Sequence, residues 1–214
     1  MEMKAVIFDL DGVIVSTDEY HYQAWKKVAD KEGIYFDREI NENLRGVSRM
    51  ESLEIMLKRA ERSYSVQEKE ELATEKNEIY KQLLNNLTPN DILTGVLSML
   101  EALRDRNIKI AIGSSSKNAL FILDKIGLKN GFDAIADGND IKNSKPHPEV
   151  FLVAAQKLGV SPSECLVVED ANAGIDAAFA AGMKSVGVGS AANYDKADYK
   201  FIDLSCVKLE DILK

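Results

Sequence analysis

The chain has 214 residues, of which 45% are hydrophobic and 29% charged, proportions that suit a globular protein with one large domain, or a main domain carrying a smaller insertion. Lys and Arg number 27 against 35 Asp and Glu, a net charge of −8 that argues against broad electrostatic binding of nucleic acid or anionic membrane. A small anionic substrate stays compatible, because a local cluster with a metal ion overrides the global sign.

The first predicted strand is AVIFDLDGV, residues 5–13. Side chains alternate along a strand, so Asp9 and Asp11 share a face if the strand continues. Two buried acids on one face repel each other and are costly to desolvate unless a cation lies between them or one of them does chemistry. Asp-Gly is equally a turn dipeptide, so the fragment alone leaves both readings open.

Residues 15–91 carry mostly helical pattern. Ser16-x-x-Glu19, Ser48-x-x-Glu51 and Ser65-x-x-Glu68 match the capping box, and residues 66–87 show helical apolar spacing. Within this block fall His21 and Trp25, one turn apart, and the loop LRGVSR with Gly46, Val47, Ser48 and Arg49. Spacing alone reads His21 and Trp25 as a core stripe, and Lys76 in TEKNEIYK as a solvated helix charge.

From residue 92 the pattern alternates. Strands are predicted over 108–114, 132–137, 165–170 and 184–189, with helices over 96–106, 118–127, 149–159 and 173–182. This predicts an α/β fold, a Rossmann-like parallel sheet core (1–14 and 92–214) with an inserted helical cap domain (15–91). Active sites in such sheets lie at the carboxyl ends of the strands, where this chain places DLDGV, GSSSKN and VEDANAG. Cys165 and Cys206 are too far apart for a disulfide framework or a metal-spacing motif, and Cys165 reads as a small core residue. The chain's start shows no signal-like apolar stretch, and no segment approaches the ~20 apolar residues of a membrane span, which predicts a cytoplasmic protein with reduced thiols.

Four features converge on one sheet edge: Asp9 and Asp11, Ser114, Lys145 in SKPHPE, and the pair Glu169 and Asp170. This set, in this order, resembles the haloacid dehalogenase (HAD) superfamily of phosphotransferases. The resemblance implies that Asp9 is the nucleophile that carries an aspartyl phosphate and that Asp11 is the general acid/base. It implies Mg²⁺ held by Asp9, the Asp11 carbonyl, Glu169 and Asp170, with Ser114 and Lys145 stabilising the transferring phosphoryl group. Each residue also has a plainer reading, from a solvated strand end for Glu169-Asp170 to helix caps for Asn118 and Asn172.

The inserted block, with GVSR and SSSKN, is similar to the β-phosphoglucomutase subfamily. That likeness implies a cap whose Gly46–Arg49 loop grips the phosphate not being transferred, Arg49 being its anion partner. Ser115, Ser116, Lys117 and Asn118 would complete the grip, while His21 and Lys76 would couple cap closure to Asp11, with Trp25 beside them. Two positions depart from that pattern: Ser16 stands where relatives often have an acid, and Arg45 where some have Lys. The expected activity is a phosphomutase acting on a small sugar phosphate, as a monomer with no nucleic acid or membrane partner. A phosphatase on the same fold differs only in the phosphoryl acceptor. A non-catalytic binder of phosphorylated ligands is disfavoured by the intact Asp9 and Asp11.

Overall fold

The computed structural model describes residues 3–213. Residues 1, 2 and 214 fall within the expected core ranges and lie outside the described residues.

Strand β1 (Ala5–Phe8) is four apolar residues, every one buried. It is the centre of a six-stranded parallel sheet that also contains β2 (Lys109–Gly113), β3 (Ala134–Ala136), β4 (Cys165–Glu169), β5 (Lys184–Gly187) and β6 (Tyr199–Lys200), in the order β3-β2-β1-β4-β5-β6. Pairing on both sides fixes the register: Phe8 lies opposite Ile112 on β2 and Val168 on β4. A central strand covered on both faces has no polar side, which is why AVIF runs apolar instead of alternating.

Period two then sorts the residues of β1. Val6 and Phe8 face helices α5 (Val96–Asp105) and α6 (Ala119–Lys125), through Leu100, Leu103 and Ile122. Ala5 and Ile7 face α7 (Glu149–Leu158) and α8 (Asn172–Ala180), through Phe151, Ala154 and Ala178. A short α9 (Leu209–Ile212) closes the chain, with Leu209 and Ile212 buried. The predicted core strands and helices all appear, most trimmed by a residue or more, while α8 begins one residue earlier than predicted; two-residue β6 carries too little pattern to be predicted.

Between β1 and α5 come α1 (Asp18–Lys31), α2 (Arg38–Glu42), α3 (Arg49–Leu57) and α4 (Val66–Leu84). They enclose an apolar cluster of their own, with Trp25, Val28, Phe36, Leu53, Met56 and Leu72. The capping boxes at Ser48/Glu51 and Ser65/Glu68 form as predicted. The one at Ser16 does not. Thr17 holds the cap position of α1, and its hydroxyl donates to Asp11 instead of capping the helix. Helix α2 is too short to show a period, and begins where the Asp37 carboxylate accepts from the Ile40 amide at 2.9 Å.

Candidate active site

The continued strand that would put Asp9 and Asp11 on one face does not exist. β1 ends at Phe8, and Gly12 takes a left-handed φ of 80° that turns the chain back. The Asp9 amide still donates to the Val168 carbonyl at 2.9 Å, so the sheet ladder fixes where its carboxylate lies. Asp11 is instead aimed by the turn, whose Gly12 amide donates to Val15 at 2.8 Å.

A cavity of about 650 Å³ opens above these residues, between the carboxyl ends of the strands and the helical block. Its core wall holds Asp9, Asp11, Lys145 and Asp170, and the β2 loop with Ser114, Ser115, Ser116, Lys117 and Asn118. Its opposite wall holds His21, Trp25, Lys76, and the loop Gly46, Val47, Ser48, Arg49. Glu169 is the one predicted site residue that does not line it; 1% exposed, it lies behind Asp9 and Lys145. Trp25 belongs to the helical block's apolar cluster and also to the wall, with Lys76 Nζ 5.0 Å above its ring.

The core wall concentrates charge. Lys145 Nζ is 1% exposed and donates at 2.5 Å both to Asp9 Oδ1 and to Glu169 Oε1. Burial pulls its pKa down, but the two carboxylates outweigh this and hold it above the ordinary lysine value. Burial pushes Asp9 up to about 7, against the pull of Lys145. Burial and the neighbouring Glu169 and Asp9 charges push Asp170 up to about 9.

Ligand oxygens of Asp9, Glu169 and Asp170 lie within 4.8 Å of one another, and all three residues are buried. A hard divalent cation takes such a carboxylate set. The packing protects it: a Cβ at Gly12 would run into the Asp170 carboxylate, and one at Gly174 into that of Glu169. Lys145 and an Arg45 shared with Asp18 and Glu42 face the three buried acids, which still leaves negative charge uncompensated, so the donor set fits such a cation.

Asp11 is gripped from two sides. The Thr17 hydroxyl and the Thr17 amide, the latter at 2.9 Å, donate to Oδ1, while His21 Nε2 lies 3.6 Å from Oδ2. Burial raises its pKa, but these partners together hold it below the ordinary aspartate value. Lys76 Nζ meets His21 Nδ1 at 2.8 Å. When Lys76 is an ammonium it can only donate, and the neutral imidazole then carries its proton on Nε2, facing Asp11. Burial and the Arg49 charge lower Lys76 to about 7.

Several contacts were not among those expected, Arg45 standing out in the sequence only as a departure from the subfamily pattern. Arg45 Nη1 donates to Asp170 Oδ2 at 2.9 Å, and Nη2 donates to Asp18, so a loop of the helical block reaches a core carboxylate. The Asn77 carbonyl accepts from Asn118 Nδ2 at 3.0 Å. Ser144 donates to Glu51 at 2.5 Å. Thr17 and Tyr80 were invisible as site residues, although Tyr80 follows Lys76 by one helical turn.

A haloacid dehalogenase-like hydrolase family profile matches residues 3–182. The chain is 48% identical over 210 residues to the β-phosphoglucomutase of Bacillus subtilis, covering 97% of this chain and 93% of that one. It is 33% identical to a phosphorylated carbohydrates phosphatase of Thermotoga maritima, covering 99% and 97%. The crystal structure of a Clostridium difficile β-phosphoglucomutase superposes with a TM-score of 0.93 at 48% identity, covering 98% of this chain and 95% of that one. The profile match over most of the chain, and relatives that share its whole length, make it a member of the haloacid dehalogenase family.

Proposed function

We propose that this chain is a phosphomutase that interconverts β-D-glucose 1-phosphate and D-glucose 6-phosphate, through an aspartyl phosphate on Asp9 and a β-glucose 1,6-bisphosphate intermediate. The observation that carries the reading is a second anion seat across the cavity from Lys145. Arg49 lines the cap wall, and its guanidinium enters no hydrogen bond or ion pair among the described residues. Ser115 Oγ, on the facing loop, is buried without a hydrogen-bond partner. A phosphatase needs one phosphate site; a bisphosphate needs two.

In this reading Asp9 attacks phosphorus, with Lys145 holding it as a carboxylate and neutralising the phosphoryl oxygens. The Ser114 hydroxyl donates to one of those oxygens. Asp11 takes the proton from the attacking sugar hydroxyl and returns it to the leaving oxygen in the reverse transfer. Asp9, Glu169, Asp170 and the Asp11 carbonyl would hold Mg²⁺, which supplies charge neutralisation for a carboxylate meeting a phosphate dianion. Gly46 to Arg49, with Ser115, Ser116, Lys117 and Asn118, hold the distal phosphate. Residues 15–91 form the cap, hinged where Val15 pairs antiparallel with Ile92 and Leu93 donates to Ile14 at 2.9 Å. The enzyme acts as a monomer in the cytoplasm; no helix among the described residues is long and apolar enough to cross a membrane.

The similarity to a carbohydrate-phosphate phosphatase favours one rival, in which water accepts the phosphoryl group. Arg49 decides between them. Arg49→Ala should slow formation of glucose 6-phosphate by roughly 100-fold. It should leave labelling of Asp9 by acetyl phosphate within about threefold of wild type, since that donor has no distal phosphate. Equal losses in both assays remove Arg49 from the distal seat and favour the phosphatase.

A further inference from the structure

Tyr80 is 1% exposed, yet it carries a hydroxyl that burial without a partner would make costly. That hydroxyl lies 2.7 Å from Thr17 Oγ1. Thr17 has a single hydroxyl proton, and it is donated to Asp11 Oδ1. Tyr80 must therefore be the donor to Thr17, and the chain runs one way: Tyr80 O–H to Thr17 O–H to the Asp11 carboxylate. Each link polarises the next.

The ring of Tyr80 serves the other side of Asp11. Its centroid is 4.1 Å from that of His21, and the Lys76 ammonium stands 4.4 Å above its face. One side chain on α4 thus braces both the threonine that holds Oδ1 and the imidazole that faces Oδ2. We propose that Tyr80 is a positioning residue for the phosphoryl transfer, fixing the Asp11 carboxylate through the Thr17 hydroxyl. The proposal rests on the assignment of Asp11 as the acid/base. It predicts that the hydroxyl matters to the step that moves a proton and not to the step that loads phosphate on Asp9.

Tyr80→Phe tests it, because the ring and its packing stay and only the donor goes. With β-glucose 1-phosphate, magnesium and a bisphosphate primer, kcat should fall roughly 10-fold or more with KM within about threefold. Labelling of Asp9 by acetyl phosphate should be unchanged, since acetate leaves without needing a proton. In a Thr17→Val background, Tyr80→Phe should cost nothing further, because the link it acts through is already gone. The proposal is overturned if Tyr80→Phe keeps kcat within about twofold, or if its loss is the same with and without the Thr17 hydroxyl. Should the wild-type protein make no glucose 6-phosphate, the mutase reading falls by itself. The same variants are then compared by the rate at which water releases phosphate from labelled Asp9, where Asp11 must still take a proton and the same pattern is expected.

Discussion

Lys76 is held in an unusual state for a lysine. It is 3% exposed, and burial with Arg49 nearby lowers its pKa to about 7. Unfolded, it would titrate near 10.4, so between these values the unfolded chain binds the extra proton. Its contribution to stability therefore grows as pH rises from about 7 to about 10, and is lost below about 7. Lys76→Met should flatten that part of the stability–pH curve, as read by urea denaturation across the range. Gly12 is a second residue whose identity is forced, by a left-handed φ of 80° and by the Asp170 carboxylate where a Cβ would be. Gly12→Ala should weaken magnesium binding roughly 10-fold or more in a calorimetric titration, because Asp170 must move to make room.

At the scale of elements, the site is built by loops that rigid elements deliver. β1 and β4 pair in parallel register, so Asp9 and Glu169 follow from the same ladder. α3 begins at Arg49 under a capping box, which pins the GVSR loop to a helix start. Arg45 ties the same loop across the cavity to Asp170, 2.9 Å away. Arg45→Met should cost roughly 1–2 kcal/mol by urea denaturation, given its part exposure, since it leaves Asp170 buried without that partner. It should also raise amide exchange in the loop after α2.

This scale shows what a sequence can and cannot say. The core strands were legible because buried parallel strands read as short apolar runs, and the proposed site acids because they end such runs. The distal contacts were not. Arg45 to Asp170 spans 125 positions and Asn118 to Asn77 spans 41, and neither pair leaves a periodic trace. Ser16 misled for a related reason. Its capping-box spacing is intact, but the neighbouring Thr17 spends its hydroxyl on Asp11, a partner that only the turn at Gly12 brings near.

For the whole molecule, the arrangement is one sheet with a helical block across the carboxyl ends of its strands. The cavity belongs to both, so whatever fills it should hold them together. A ligand that binds only the folded chain stabilises it by mass action, about 2.7 kcal/mol at 100 times its dissociation constant. Magnesium with a non-transferable sugar phosphate should raise the melting temperature by several degrees more than either alone, as read by calorimetry. Equal shifts with and without the metal would separate the two sites.

The central position of β1 also sets a schedule. Its neighbours are β2 and β4, and β4 closes the register only when Val168 can accept from the Asp9 amide. On a ribosome, β1 emerges long before either partner, as an apolar ribbon with two open edges. Asp9, the proposed nucleophile, is thus made early and supported late. Glu169 and Asp170, proposed to share a metal ion with it, leave the tunnel only with or just after β4, so on that reading a half-made chain carries an aspartate that cannot yet accept phosphate. Chains stopped after Gly159, before β4, should precipitate or bind a holdase in cell-free synthesis. Chains released beyond α8 should label with acetyl phosphate, and the onset of labelling against length would show when the enzyme is switched on.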